Sequence, residues 1–275
     1  MFKLLDWIDE SKLCDSLCEN PRAVKYLEEH PKLISWHELS LNPEAIWMLE
    51  QNQDKIDWTV VSENPGAVGL LERNFFAINW ETLAFNREAI SLIKRRLEKT
   101  EWMYLCLNQN AIEIIEQNMD KVEWEVLCAN KGAIHILEAN QEKIDWQTLS
   151  GNPAAIKLLE ANPDKIDWKY ISCNPAAIHL IEQNLDKIDW QVLSSMPEAI
   201  HILEKNPDKI DWFWLSSNFA AIHLLTKNQD KIDWDMFSSN SAIFEHDYTN
   251  MTRPFKDELL AVCFHPDNRT RLTLN

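Results

Sequence analysis

The chain has 275 residues, a net charge of −17, 45% hydrophobic residues, 13 tryptophans and only 4 glycines. The charge disfavours nucleic acid or an anionic membrane surface as the main partner. The apolar content excludes a disordered chain, no apolar run approaches the ~18 residues of a membrane span, and so few glycines leave no phosphate-cradling loop.

In chain order, residues 1–13 bring Phe2, Leu4, Leu5, Trp7 and Ile8 close together and predict an amphipathic capping helix. Asp6, Asp9 and Glu10 interrupt the apolar core that a signal peptide needs. From Trp36 onward the chain is periodic. Trp36, Trp58, Trp80, Trp102, Trp124, Trp146, Trp168, Trp190, Trp212 and Trp234 each lie 22 residues after the last. A fixed period of this length marks a repeat architecture. With tryptophan as position one, the unit reads W-x-x-L-S-x-N-P-x-A-I-x-L-L-E-x-N-P-D-K-I-D, and residues 146–167 match it almost letter for letter. A weaker copy starts at Cys14, placed in the tryptophan slot, and a last copy breaks after Asn240, giving eleven units over residues 14–243.

Each unit predicts two short helices. Asp145 or its equivalents cap the first, in which Trp146 and Leu149 share an inward face. Asn152 caps the second and Pro153 suits its first position, where a missing N–H costs nothing. Ala155, Ile156 and Leu159 then form its apolar face, and Asn162-Pro163 begins a connecting turn compatible with one turn of 3₁₀ helix. Such short helices need stacking on neighbours to persist. Position seven is asparagine in ten of the eleven units, Met196 being the exception, and capping accounts for it. A buried indole in each unit would remove about 150–250 Å² of aromatic surface from water.

Three further columns stand out. Position twelve holds His135, His179, His201 and His223, residues able to bind metal, sense pH or meet an acidic partner; no cysteine or carboxylate is evidently placed to complete a metal site. Position three carries Tyr104, Tyr170 and Trp214 among other bulky residues, with Phe213 beside the last. If exposed, it is a protein-binding stripe; if covered by the next unit, it is core. Position fifteen is mostly glutamate and position twenty mostly lysine, a pattern that predicts surface ion pairs.

Lys94, Arg95 and Arg96 form a basic cluster among the least regular units, read either as a docking point or as drift on a solvated face. The six cysteines do not form a disulfide framework. Cys106 and Cys128 occupy one column, where stacked equivalents lie ~9–10 Å apart, beyond a disulfide's ~7 Å reach, so reduced thiols in an intracellular protein are expected. No nucleophile-elbow, dinucleotide, P-loop, zincin or C-x-x-C pattern occurs. After residue 243 the period ends, and residues 254–263 (PFKDELLAVC) predict a helix within a C-terminal cap and tail spanning residues 244–275.

The 22-residue unit resembles a repeat abundant in proteins of giant nucleocytoplasmic DNA viruses, and the resemblance covers residues 14–243. Glu258-Leu259-Leu260 and Phe264-His265-Pro266, near Arg269 or Arg271, also look like the close of those proteins. The Asn-Pro-rich alternation of short helices is similar in architecture to leucine-rich-variant repeats, where α and 3₁₀ helices alternate in a superhelix; the iron–sulfur cluster associated with some of those has no counterpart here. The resemblance implies a virus-encoded protein of host cytoplasm or virion, and it supplies no active-site residues.

The expected fold is an all-α solenoid of about eleven repeats with N- and C-terminal caps, ~100 Å long if its rungs stack at ~9–10 Å. The expected role is a non-enzymatic scaffold for protein–protein interaction, without cofactor. The alternative is a structural virion component such as a minor capsid or tegument-like protein.

Overall fold

The computed structural model describes residues 2–246, and these form an all-α repeat solenoid of eleven rungs. Rung seven shows how the sequence builds each one. Its first helix, Trp146–Ser150, is capped by the Asp145 carboxylate, which accepts the Thr148 N–H at 2.8 Å. Asn152 then starts a 3₁₀ turn, Pro153–Ala155, that runs straight into the α-helix Ile156–Ala161. Asn162 ends that helix by donating its side-chain amide to the Leu158 carbonyl at 2.9 Å. The connection is a second 3₁₀ turn, Pro163–Lys165.

The core runs through the leucines rather than the tryptophans. Leu149, Ala155 and Leu159 are fully buried, while Trp146, Pro153 and Ile156 are half-buried. All ten repeat tryptophans are half-buried as well, which corrects the expectation of an enclosed indole. Lysines of position twenty cover the open ring faces: Lys55 lies over Trp36 at 4.6 Å, Lys187 over Trp168 at 4.7 Å and Lys231 over Trp212 at 4.4 Å. The indole closes the margin of the core, and the lysine charge stays in water above it.

The position-seven asparagines cap and also bind rung to rung. Asn152 is 1% exposed; its Oδ1 accepts the Ala154 N–H, and its Nδ2 donates to the carbonyls of Cys128 and Asn130 in the preceding rung at 2.9 and 3.2 Å. Asn42, Asn86, Asn108, Asn130 and Asn174 repeat this arrangement. Position five adds a second buried relay. Ser150 Oγ donates to the Trp146 carbonyl at 2.7 Å and accepts the Asp167 N–H at 2.9 Å. In rungs one and six, the thiols of Cys18 and Cys128 accept the corresponding N–H instead.

The ladder does not end; it returns to its start. Asn20 of rung one donates to the Asn240 carbonyl of rung eleven at 3.1 Å, the same bond that Asn42 makes to Asn20. Ser16 Oγ donates to the Asp235 carbonyl at 2.7 Å. The chain is therefore a closed ring, and the expected ~100 Å open ladder is corrected.

The N-terminal segment makes the closure, though not as the expected helix. Strand β1 (Phe2–Leu4) pairs antiparallel with β2 (Phe244–His246), and Glu10–Lys12 is a 3₁₀ turn. Trp7 packs on Phe237 with ring centroids 5.7 Å apart, and Lys12 lies over Trp234 at 4.9 Å. The Cys14 N–H donates to Ser238 Oγ, the bond made by Asp167 to Ser150 elsewhere. Lys12, Leu13 and Cys14 thus occupy the Lys-Ile-Asp slots of rung eleven, so the two ends of the described segment share one rung. Cys14 fills the aspartate slot, not the tryptophan slot, and rung one opens with a 3₁₀ helix, Asp15–Glu19. The predicted helix at residues 254–263 lies outside the described residues.

Closure fixes which layer faces the axis. Neighbouring first helices pack directly on one another, as Trp36–Leu41 does on Trp58–Val61. Second helices stand further apart and are bridged by long side chains, such as His179 to Glu160. Spacing in a ring grows with radius, so the first helices form the inner wall and the second helices the outer rim. The small residues of position five (Ser, Ala or Cys) permit the narrow inner spacing.

Two outcomes test this arrangement. Replacing Asn152 with Leu strands the Ala154 N–H and two carbonyls, and should lower unfolding free energy in urea by about 2–4 kcal/mol. Met196→Leu, where the ladder has no amide to lose, should cost less than about 1.5 kcal/mol; equal losses would refute the inter-rung role. Deleting residues 1–13 should open the ring and raise the radius of gyration measured by X-ray scattering, whereas an unchanged value would show that the ring holds without this segment.

Candidate interaction surface

The two candidate columns occupy opposite walls. On the outer rim, each position-twelve histidine meets the position-fifteen glutamate of the preceding rung. His135 Nε2 lies 2.9 Å from Glu116, His179 2.8 Å from Glu160, His201 2.8 Å from Glu182 and His223 2.7 Å from Glu204. Between rungs four and five the charges are exchanged, and Lys94 reaches Glu113 at 2.6 Å. The carboxylate that sequence alone did not locate comes from the neighbouring rung. Each site nevertheless holds only two ligating side chains, and among the described residues no group of three His, Cys, Asp or Glu could hold a metal. Where glutamate–lysine pairs between positions fifteen and twenty were expected, these glutamates bridge to histidine instead, and Lys55, Lys121, Lys187 and Lys231 of position twenty lie over tryptophan rings. Such exposed pairs contribute roughly 0–1 kcal/mol each and chiefly set rung spacing.

The basic cluster is internally engaged. Lys94 bridges to Glu113, Arg95 stacks over Phe75 at 4.8 Å and Arg96 lies 3.5 Å from Glu98. The described cysteines are free thiols, and burial pushes Cys18 up to about 11 and raises Cys106 and Cys128 as well. Thiols held protonated in this way are poor nucleophiles.

On the inner wall, positions two, three and six of the first helix point away from the core, opposite Leu at position four. Position six of one rung meets position three of the next. Phe85 and Tyr104 pair in this way with ring centroids 4.4 Å apart, and a Cβ at Gly151 would sit 3.5 Å from the Tyr170 carbonyl. The result is a continuous track around the inside of the ring. Tyr170 and Trp214 of position three are exposed on it, as is Phe213 of position two, while Tyr104, Val60, Val126, Val192 and Met236 are half-buried, so the position-three stripe is surface at some rungs and margin of the core at others. Phe213 and Trp214 meet edge to face at 5.4 Å. Sequence reasoning missed Phe85, Met103 and Leu107, which are 38%, 47% and 40% exposed on the same wall. They stand at positions two and six, and their alignment with position three needs the helix-to-helix register.

The track changes character around the ring. Rungs one to three carry Glu19, Glu38 and Glu63 at positions six and three. Burial, then hydrogen bonding to Glu38, raises the Glu19 carboxyl to about 6, with His37 opposing the shift; burial raises Glu63 too. His37 Nδ1 is itself 2.9 Å from Asp57.

The crowding at Glu19 has a measurable consequence. Its folded value lies above the ordinary 4.5, so the folded state binds the proton more tightly than the unfolded chain does. Its contribution is complete below pH 4.5 and is lost as pH rises through about 6. Unfolding free energy in urea should therefore fall less between pH 4.5 and 7 in Glu19→Gln than in the parent, the difference staying under about 1 kcal/mol after solvent screening. Parallel profiles would show that folding does not raise the Glu19 carboxyl.

No family model matches the chain, and neither the curated proteins nor the solved structures contain a match to it.

Proposed function

We propose that this protein is a non-enzymatic ring scaffold that binds a protein partner along its inner wall. One observation carries the reading: the exposed aromatic and apolar side chains Phe85, Met103, Leu107, Tyr170, Phe213 and Trp214 share a single track. Rigid aromatics on a well-packed support are the usual anchors of protein interfaces. The outer-rim histidines and the buried thiols accord with this reading, since His135, His179, His201 and His223 each pair with one glutamate and Cys18, Cys106 and Cys128 are held protonated. The resemblance of the 22-residue unit to giant-virus repeats suggests a viral protein acting in host cytoplasm or virion. An elongated virion spacer fits the geometry less well, because a closed ring offers no free end rung on which to extend.

A photo-crosslinking residue placed at Phe213 should capture a stoichiometric protein partner in lysate of cells making the protein. The same residue at Lys157, on the outer rim, should capture little. Equal capture from both positions, no capture from either, or turnover of a small molecule by the purified ring would overturn the proposal.

A further inference from the structure

Rungs one to five divide the inner wall into two adjoining parts. Glu19 and Glu38 lie side by side across the first seam, and Glu63 stands two rungs after Glu19 in the same column. Thr82, across the next seam from Glu63, is on the helix Trp80–Leu83, immediately after which Phe85 stacks on Tyr104. Met103 and Leu107 extend this apolar part. Glu81, at position two of rung four, adds negative charge to it. The nearby basic groups are already occupied: Arg87 lies 3.7 Å from Glu88, and His37 faces Asp57. A carboxylate pair pressed together beside uncovered aromatic rings, offset in part by a histidine that Asp57 also engages, is complementary to one kind of surface.

Resting on the protein-binding reading above, we infer that the inner wall of rungs one to five receives a lysine- or arginine-rich protein segment that also carries bulky apolar side chains. Its cations lie along Glu19, Glu38 and Glu63, and its apolar side chains cover Phe85, Tyr104, Met103 and Leu107. The raised proton affinity of Glu19 and Glu63 accords with this, since the charge of an arriving cation offsets the repulsion between the carboxylates and the cost of keeping them ionised. Like-charge repulsion on this wall also rejects acidic segments.

The test is binding of labelled synthetic peptides to the full chain by fluorescence anisotropy. A peptide alternating lysine and leucine should bind, and should weaken as salt rises. Peptides alternating glutamate with leucine, or lysine with serine, should bind at least about ten-fold more weakly. The joint substitution Glu19→Gln, Glu38→Gln and Glu63→Gln preserves shape and should weaken the lysine–leucine peptide about ten-fold, as should Phe85→Ser with Tyr104→Ser. Lys157→Ser, on the outer rim, should leave it unchanged. Equal binding of the lysine–serine peptide, or full binding by the glutamine variant, would overturn the inference. If the Phe213 crosslinker captures a partner while the lysine–leucine peptide fails to bind, this inference falls and the scaffold reading stands. If the peptide binds but no cellular partner is captured, the scaffold reading falls and takes this inference with it.

Discussion

Every seam but one depends on a buried asparagine amide placed between rungs. Its oxygen caps the 3₁₀ turn of its own rung, and its nitrogen donates to carbonyls of the rung before. A backbone that bends from helix to 3₁₀ turn inside a core leaves polar groups with no water to meet them, and such groups are costly unless paired. One side chain resolves both ends of the problem. Because its reach is short, it also holds the inner layer close. Side chains of position twelve and fifteen hold the outer layer wider, so each rung is a wedge, and eleven wedges complete a turn. The amide is absent where Met196 replaces it, and no capping bond forms there. At the seam joining rungs eleven and one it is present.

Closure alters what the ends of the chain must do. An open solenoid exposes a terminal core face at each end and needs a polar cap to cover it. Here one terminal face covers the other. Rung eleven supplies its first helix and a 3₁₀ turn, Ser241–Ile243, and the N-terminal segment supplies the remainder of the unit. Strand pairing between β1 and β2 replaces the second helix, a substitution available because the rung is built from two pieces that cannot share one continuous helix.

Much of this was legible in the sequence. The 22-residue period, the two helices, the Asp and Asn caps and the connecting turn all arise from residue types whose preferences are local. What was not legible is set between rungs. Lys12-Leu13-Cys14 matches Lys-Ile-Asp at its first two places, but reading Cys14 as a tryptophan equivalent shifted it by one. The amide nitrogens of Asn42 through Asn240 carry no mark of their second bond, because a capping asparagine looks the same in a free helix. The curvature that turns a rod into a ring arises from the difference between inner and outer spacing, a quantity no single unit contains. The candidate surface was half visible: Tyr104, Tyr170, Phe213 and Trp214 stood out in their column, while Phe85, Met103 and Leu107 joined them only once the seam brought position six against position three.

The columns also differ in how much they vary, and the ring explains why. Position four is apolar and most often leucine, while alanine at position ten and asparagine at position seven barely change from rung to rung; each is buried between two neighbours. Positions two, three and six range from glutamate through phenylalanine to serine. They stand on helices whose packing is fixed from the opposite side, so their identity costs the fold little. In an open stack, a change near an end would act on a rung with one neighbour and fray it. In a closed stack every rung has two, and the inner wall can differ from place to place without any weak end to concentrate the loss. That freedom lets one repeated unit hold an acidic stretch and an aromatic stretch side by side, with the same backbone under both.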